Sequence, residues 1–500
     1  MKYVIGVDLG TSAVKVLLMN EQGEVCMEIS KPYPLIQLRS GFSEQDPKEW
    51  VDKTTEALRD LVQKFEGNVA DIEGISFSGQ MHGLVLLDQK GFVLRNAILW
   101  NDTRTTEQCH RIYECVGEER LLEITKNQAL EGFTLPKLLW VKQYEPDIYH
   151  QAAVFLLPKD YVRYVMTGKI HSEYSDAAGT LLLDVAKKRW SSEMCDLVGV
   201  DVMLCPPLVE SNECVGEITG AFSSQTGLAK TTKVFTGGAD NACGAIGSGI
   251  LSEGKTLCSI GTSGVVLSYE EKSDRDFEGK VHYFNHGEEN AYYTMGVTLS
   301  AGHSLSWFKE TFANGEDFNR LLEGLENVPI GANGLLFTPY LLGERTPYAD
   351  AIIRGSFIGM DSSHKRIDFA RAVLEGITFS LNESIDIFRK SGKVIDTVIS
   401  IGGGAKNETW LQLQADVFNA TIVKLSSEQG PAVGAAMLAA YGSGWYGSLQ
   451  ECAEVFTSVD KTYEPIPANV ERYARLFDVY KKVYVQTKEL NEELKMFRNN

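Results

Sequence analysis

The chain has little of what a membrane protein, a disulfide scaffold or a nucleic-acid binder needs. Its nine cysteines fall among 500 residues without one Cys-x-x-Cys pair, and their number is odd. That argues against a disulfide framework or a cysteine zinc site, and reads as reduced thiols in a cytoplasmic protein. No apolar stretch reaches the roughly 18 residues that a membrane-crossing helix needs. The N-terminal apolar run holds one lysine and is interrupted by Asp8, so it does not read as a signal peptide. Positive charge is scarce, with 48 Lys and Arg against 67 Asp and Glu, a net charge of −19. An acidic surface disfavours nucleic acid and anionic membranes, so any anion site must draw on local charge. Histidine is also sparse at eight residues. The close pair His282 and His286 lies in strand-like HYFNH and lacks the glutamate of a metalloprotease motif. No helix-turn-helix extension is visible.

What is present is ordinary in bulk and specific in detail. The composition, 44% hydrophobic and 23% charged, is that of a soluble globular protein, and the length predicts two or three domains. Gly10-Thr11-Ser12 and Gly261-Thr262-Ser263 stand 251 residues apart, half the chain. Each lies between apolar, strand-like runs, YVIGVDLGTSAVKVLLM and TLCSIGTSGVVLSY. The spacing predicts two related halves, each opening with a β-hairpin whose turn is Gly-Thr-Ser. Glycine allows close backbone approach, and Thr and Ser add hydroxyls to the turn's N–H groups. Two such turns facing each other would clamp a phosphate chain from both sides.

The first half reads as a strand meander to about Val25, a Pro-containing loop, and a helix over Pro47–Phe65 opened by Asp46 as cap. The strand GISFSG follows, and then βα alternation, which predicts an α/β protein with mainly parallel sheets. In the second half the pattern predicts a helix over Phe369–Arg389, the strand TVISIGGGA, a helix over Glu408–Phe418 and a strand near Ala420–Leu425. The small-residue segments GADNACGAIGSG and GPAVGAAMLAAYGSG match each other, a second sign of duplication. The boundary between halves falls near Gly247–Gly254. Tyr473, Phe477, Tyr480 and Tyr484 at helical spacing predict a C-terminal helix docked by its aromatic face.

One pattern misleads. GILSEGKT, Gly249 to Thr256, fits the phosphate-loop pattern GxxxxGK[ST]. That loop needs a strand before it and a helix after it, and here the order is reversed. It reads as a helix-to-strand turn.

Five segments carry chemistry. Asp8 sits two residues before the first turn, suited to hold Mg²⁺, or else a turn carboxylate bonding backbone. Asp240, in GGADNACGA after a strand, is either a helix N-cap or a base that takes the proton from an attacking hydroxyl. Gln80, Met81 and His82 stand between glycines after a strand. Two of them can bond hydroxyls, and the methionine can pack on a carbon chain. LWNDTR offers Trp100, Asp102 and Arg104, a mix that suits a polyhydroxylated ligand or an ordinary satisfied loop. Gly402-Gly403-Gly404 ends a strand in bare backbone, against which a ring or ribose could lie.

Together these strings resemble the FGGY carbohydrate kinases, over Tyr3 to about Gly444. GFTLPKLLWVKQ and GSFIGMDSSHKRIDFARAVLEGI resemble the family's two signatures. DLGTS, GQMHG, LWNDTR, LPKDY, SDAAGTLLLDV, GGADNA, SIGTSG and GGGAKN keep the family's order, though Thr103 stands where Gly is usual. The resemblance implies two actin-like (ribonuclease H-like) ATPase domains, 1–247 and 248–500, with a cleft between them. It implies Asp240 as catalytic base, and Met81, His82, Asp240 and Asn241 on the sugar, with Gln80, Trp100, Asp102 and Arg104 around them. Thr11, Ser12, Lys15, Gly261, Thr262, Ser263, the Gly402–Gly404 run and Asn407 are expected on ATP, and Asp8 with Asp240 on Mg²⁺. GQMHG points to D-xylulose as the sugar, since glycerol-specific members carry an Arg-Glu pair there. The implied partners are sugar and ATP, in a cytoplasmic homodimer. A kinase for another ketose or polyol, an actin- or Hsp70-like ATPase switch, and a sugar sensor without catalysis stand as alternatives.

Overall fold

In the computed structural model the described residues are 1–427 and 430–498. Two mixed sheets, built to one plan, form the frame. In the first half the strands are β1 (Tyr3–Leu9), β2 (Ala13–Asn20), β3 (Val25–Pro32), β4 (Ile72–Gly79), β5 (Cys214–Glu217), β6 (Lys233–Phe235) and β7 (Gly238–Ala239). Their order is β5-β6-β4-β1-β2-β3, with β7 beside β4. In the second half they are β8 (Gly254–Ile260), β9 (Gly264–Glu270), β10 (His282–Asn285), β11 (Tyr292–Thr298), β12 (Ile395–Gly402), β13 (Thr421–Leu425) and β14 (Val459–Tyr463). Their order is β10-β11-β9-β8-β12-β13-β14.

The duplication read from the two turns is therefore real. β1-β2-β3 and β8-β9-β11 are antiparallel meanders, each followed by parallel strands, β4 and β6 on one side, β12 and β13 on the other. The expectation of mainly parallel sheets is corrected to mixed ones. A hairpin closed by a three-residue turn can only join antiparallel strands, and each half opens with one.

Local signals placed the helices well. α1 (Pro47–Lys64) starts at Asp46, whose carboxylate accepts from the Lys48 N–H at 2.9 Å, with Pro47 as first helical residue. α2 (Asp240–Gly247) follows β7, and GILSEGKT runs from its end into β8, as a helix-to-strand turn. α3 (Gly302–Phe312), α4 (Arg366–Lys390), α5 (Glu408–Phe418) and α6 (Gly430–Gly442) complete the second half's scaffold. The last helix, α7 (Pro467–Lys495), buries Tyr473, Phe477, Tyr480 and Tyr484. Three of them ring Phe379 of α4, with centroids 5.3–6.0 Å away, and Tyr484 stacks on Tyr348 at 3.7 Å. Among the described residues no helix is long and apolar enough to cross a membrane.

The halves are interlocked by glycine. α6, from the second half, packs on β1 and β4 of the first-half sheet and crosses α2. A Cβ on Gly434 would lie 1.8 Å from the Cys243 carbonyl oxygen, and one on Gly247 would lie 2.1 Å from that of Gly430. On the sheet side, a Cβ on Gly6 would lie 2.0 Å from the Ala432 oxygen. The obstacles are backbone atoms, which cannot swing away. Gly434→Ala should therefore lower the denaturant midpoint, at a cost of about 1–3 kcal/mol for forced repacking. An unchanged midpoint in urea unfolding would show that the helices can separate freely.

Candidate functional site

Both Gly-Thr-Ser turns sit at strand ends with their carbonyls turned into the protein. In the first turn the Gly10 carbonyl accepts from the Tyr33 hydroxyl, that of Thr11 from Gln45 Nε2 at 2.7 Å, and that of Ser12 from the Tyr33 N–H at 3.1 Å. In the second, Gly261 accepts from the Gly302 N–H at 2.8 Å, Thr262 from the His303 N–H at 3.0 Å, and Ser263 from the Gly261 N–H at 2.9 Å. All six carbonyls are thus occupied by protein donors. A turn arranged this way offers an anion N–H and hydroxyl groups without carbonyl repulsion. The second turn is held by the start of α3, whose end also favours negative charge.

The glycine run lies against the second turn. Gly402, at the end of β12, pairs with Ile260, the last residue before Gly261. Its φ is +79°, and a Cβ would meet the Ile260 carbonyl oxygen at 2.6 Å. Asn407 accepts from the Trp410 N–H at 2.9 Å and caps α5 just beyond. Lys15 is the cross-strand partner of Asp8. Its ammonium is 3.7 Å from Glu28.

Asp240 is the first helical residue of α2, and Ala239 occupies the cap position. Its Oδ1 accepts from the Asn241 N–H at 2.7 Å and from Asn241 Nδ2 at 3.0 Å. The backbone before it is pinned from below. The Ala239 N–H donates to Ser175 Oγ at 2.9 Å, and that hydroxyl donates to Glu173 Oε2 at 2.8 Å. Glu173 in turn belongs to a fully buried cluster in which Lys159 meets Asp160, Asp176 and Glu173 at 2.9–3.2 Å. Such a cluster resists displacement, because removing one partner strands another buried charge. Burial pushes the Asp240 carboxyl up to about 7, and the like charge of Asp8 adds to the shift. Asp8 is itself raised by burial, against the neighbouring Ser78 hydroxyl and the charge of Lys15.

Asp240 and Asn241 open onto a cavity of about 340 Å³ between the two halves. From the first half come Met81, His82, Trp100, Asp102 and the 130–133 loop, and from the second Ser263, Val265, His282, Phe284, Met295, Val297 and Arg345. His82 has φ +68°, unusual for a side chain with a Cβ, and its Nδ1 lies 2.6 Å from the Gly179 oxygen. Burial pushes its pKa down to about 3, so the ring is neutral. Nδ1 then carries the proton donated to Gly179, and Nε2 is left as an acceptor for a hydroxyl. The 130–133 loop is held by Lys137, whose buried ammonium donates to the carbonyls of Glu131, Gly132 and Phe133. Trp100 donates its indole N–H to Thr11 Oγ1 at 2.9 Å, which joins the 100–104 loop to the first turn.

Two residues expected on a ligand lie elsewhere. Arg104 is turned away from the cavity. It binds Asp102 at 2.6 Å and Glu44 at 2.8 Å, and stacks over Phe42 at 3.6 Å. Gln80 is buried behind the first turn and donates to Gln45 Oε1 at 3.1 Å. Asp102 borders the cavity, but its carboxylate is occupied by Arg104 and by the Ser43 N–H. Ser263, expected on nucleotide, also borders this cavity. Sequence reasoning missed Glu131, Phe133, His282, Phe284, Met295 and Arg345. Phe133 lies in the signature GFTLPKLLWVKQ and His282 and Phe284 in HYFNH, but neither string pointed to a ligand, and the six meet only when the halves are brought together.

Two sheets on one plan, two turns with their carbonyls occupied and an acid above an interlobe cavity fit a nucleotide-dependent phosphotransferase. Comparison with known proteins makes this specific. Residues 3–247 match the N-terminal domain of the FGGY family of carbohydrate kinases, and residues 256–443 its C-terminal domain. A xylulose kinase of Bacillus subtilis is 64% identical over the full length of both chains. One of Escherichia coli is 37% identical, over 96% of this chain and 98% of its own. The crystal structure of a ligand-bound xylulose kinase from Lactobacillus acidophilus superposes with a TM-score of 0.94 at 29% identity, covering 99% of this chain and all of its own. A gluconate kinase from the same organism superposes at 0.92, also at 29% identity, covering 97% and 98%. The chain belongs to the FGGY family of carbohydrate kinases and is a sugar kinase.

The raised pKa has a direct test. In ligand-free protein labelled with [13C]aspartate, the Asp240 carboxyl should titrate near pH 7, as its pKa is pushed up to about 7. Asp8→Asn removes the neighbouring like charge and should lower that midpoint. An Asp240 midpoint in the ordinary carboxylate range, or one indifferent to Asp8→Asn, would contradict the arrangement.

Proposed function

We propose that this protein transfers the γ-phosphoryl group of ATP to the terminal hydroxyl of D-xylulose, giving D-xylulose 5-phosphate and ADP. The observation that carries the reading is Asp240, which with Asn241 opens onto an interlobe cavity bordered by Ser263 of the second turn. The full-length likeness to xylulose kinases supports the choice of sugar.

Asp240 takes the proton of O5 as that oxygen bonds to the γ-phosphorus and the bond to the β-phosphate oxygen breaks. A carboxylate suits the task, since phosphoryl transfer depends mainly on positioning and charge stabilisation. The bond from Asn241 and the pinning through Ser175 fix the direction of its free oxygen. Met81 packs on the sugar's carbon chain, and His82 Nε2 and Asn241 bond its hydroxyls. The turns Gly10–Ser12 and Gly261–Ser263 hold the β- and γ-phosphates, with Lys15 as local positive charge. Gly402–Gly404 and Asn407 border the nucleoside. The lobes 1–247 and 248–500 close over both substrates and exclude water, which would otherwise take the phosphoryl group.

Asp8 and Asp240 suit Mg²⁺, a hard cation that favours oxygen and is commonly held by one or two carboxylates plus substrate phosphates. The like charge of Asp8 contributes to the raised pKa of Asp240, as expected of two carboxylates facing the same cleft. When bound, Mg²⁺ neutralises phosphate charge.

ADP release with Mg-ATP should be strongest with D-xylulose and near zero without sugar, when compared with D-ribulose, L-ribulose, L-xylulose, glycerol and gluconate. In the same assay Asp240→Asn should lose at least about a hundredfold in turnover while keeping nucleotide affinity, as expected of a general base. Stronger release with another sugar would move the substrate. Equal release with and without every sugar would sink the kinase mechanism, and near-normal turnover in Asp240→Asn would remove it from the base role.

A further inference from the structure

The first-half wall of the cavity is rich in groups that can bond a sugar: Asp240, Asn241, His82 and Glu131. The second-half wall is mostly Val265, Phe284, Met295 and Val297, and its one cation among the described lining residues is Arg345.

The backbone at Arg345 is fixed with unusual thoroughness. Glu344 Oε1 accepts from the Arg345 N–H at 2.8 Å and from the Leu299 N–H at 3.0 Å, and its Oε2 accepts from Ser380 Oγ at 3.0 Å. On the other side, the Thr346 N–H donates to the Val297 carbonyl at 3.0 Å, and the Val297 N–H donates to Thr346 Oγ1 at 3.0 Å. The segment is thus bolted to the end of β11, the strand that lines the cavity. The side chain it presents is treated in the opposite way. Among the described residues the Arg345 guanidinium makes no hydrogen bond and no ion pair, while Arg104, Arg163 and Arg371 are each tied to named acceptors. Glu131 and Glu344 are the carboxylates whose charge reaches it. It also separates the sugar cavity from a second one of about 320 Å³, sharing that partition with His282 and Leu130. Access from the second side keeps the guanidinium hydrated, so presenting it carries no full burial cost.

We propose that Arg345 is a sugar-binding residue supplied by the second half, donating to oxygen atoms of the bound ketose and so coupling sugar occupancy to closure of the cleft. A neutral polyol offers only carbonyl and hydroxyl oxygens, and a planar five-donor group on a fixed backbone is suited to grip two at once. The other polar groups assigned to the sugar come from the first half. Arg345 gives the second half a contact that exists only with sugar in place. The inference rests on the D-xylulose reading above.

The test is calorimetric titration of D-xylulose into wild-type protein, Arg345→Met and Arg345→Lys without nucleotide, with KM for ATP measured in parallel. Loss of charged hydrogen bonds predicts sugar affinity about ten- to a hundredfold weaker in Arg345→Met, with partial recovery in Arg345→Lys. KM for ATP at saturating sugar should stay within about twofold, since the role is assigned to sugar binding. A D-xylulose affinity unchanged in Arg345→Met would overturn the proposal. So would a rise in KM for ATP with unchanged sugar affinity, which would move Arg345 to the nucleotide. Wild-type protein that binds another sugar of the panel but not D-xylulose would overturn the substrate reading instead. The same variants titrated with that sugar would then decide the role of Arg345. Because the guanidinium makes no hydrogen bond, ion pair or ring contact among the described residues, both variants should keep the wild-type melting temperature, which separates lost binding from lost fold.

Discussion

Everything at the site hangs from the crossing of α2 and α6. The two helices meet backbone to backbone at Gly247, Gly430 and Gly434, and α6 lies directly on β1 at Gly6. β1 carries Asp8 and leads into the first Gly-Thr-Ser turn, and α2 begins with Asp240. One glycine-lined contact therefore sets the separation of the two carboxylates and ties a helix of the second half to the sheet of the first. Side chains at this crossing would push the elements apart by ångströms, a large error for groups that must meet a single transferring phosphoryl. Two further bonds brace the same junction, from Trp445 Nε1 to Glu73 and from the Tyr446 hydroxyl to the Glu21 carbonyl, each at 2.7 Å.

The surroundings of Asp240 follow the same logic of fixed backbone and free functional atoms. Carbonyls of both turns are consumed by protein donors, so donors face the cleft. Ser175 and Glu173 hold the chain just before Asp240, and behind them Lys159 gathers three carboxylates. Burial raises Asp176 well above the usual carboxylate range, while Lys159 and Arg163 hold Asp160 below it. That cluster does no chemistry itself. Its charges make displacement of the loop costly, which is what the base role proposed for Asp240 requires.

Much of this was legible in the sequence because it is local. The two turns, their half-chain spacing and the paired small-residue helices announced the duplicated fold, the Asp46-Pro47 start placed α1 to the residue, and the aromatic spacing gave the buried face of α7. What failed was information that local sequence does not contain. Nothing in LWNDTR says that Arg104 folds back onto Asp102 and Phe42, which lies 62 residues upstream, so one side chain of a loop that does border the cavity was read as facing it. Asp240 missed the cap position by one residue, the usual uncertainty of a helix start. The second-half wall was invisible for a deeper reason. His282, Phe284, Met295 and Val297 alternate along two strands, as sheet residues do anywhere, and only the docking of the other half turns that face into a cavity wall.

The central claim is that the cleft delivers the γ-phosphoryl to one particular oxygen, the hydroxyl that Asp240 can reach. The most direct measurement is the 31P and 13C NMR spectrum of the product formed from uniformly 13C-labelled D-xylulose and Mg-ATP. The account predicts one phosphomonoester, with phosphorus coupling to C5 and C4 and none to C1. Coupling to C1, a mixture of esters, or inorganic phosphate as the sole new phosphorus signal would contradict it.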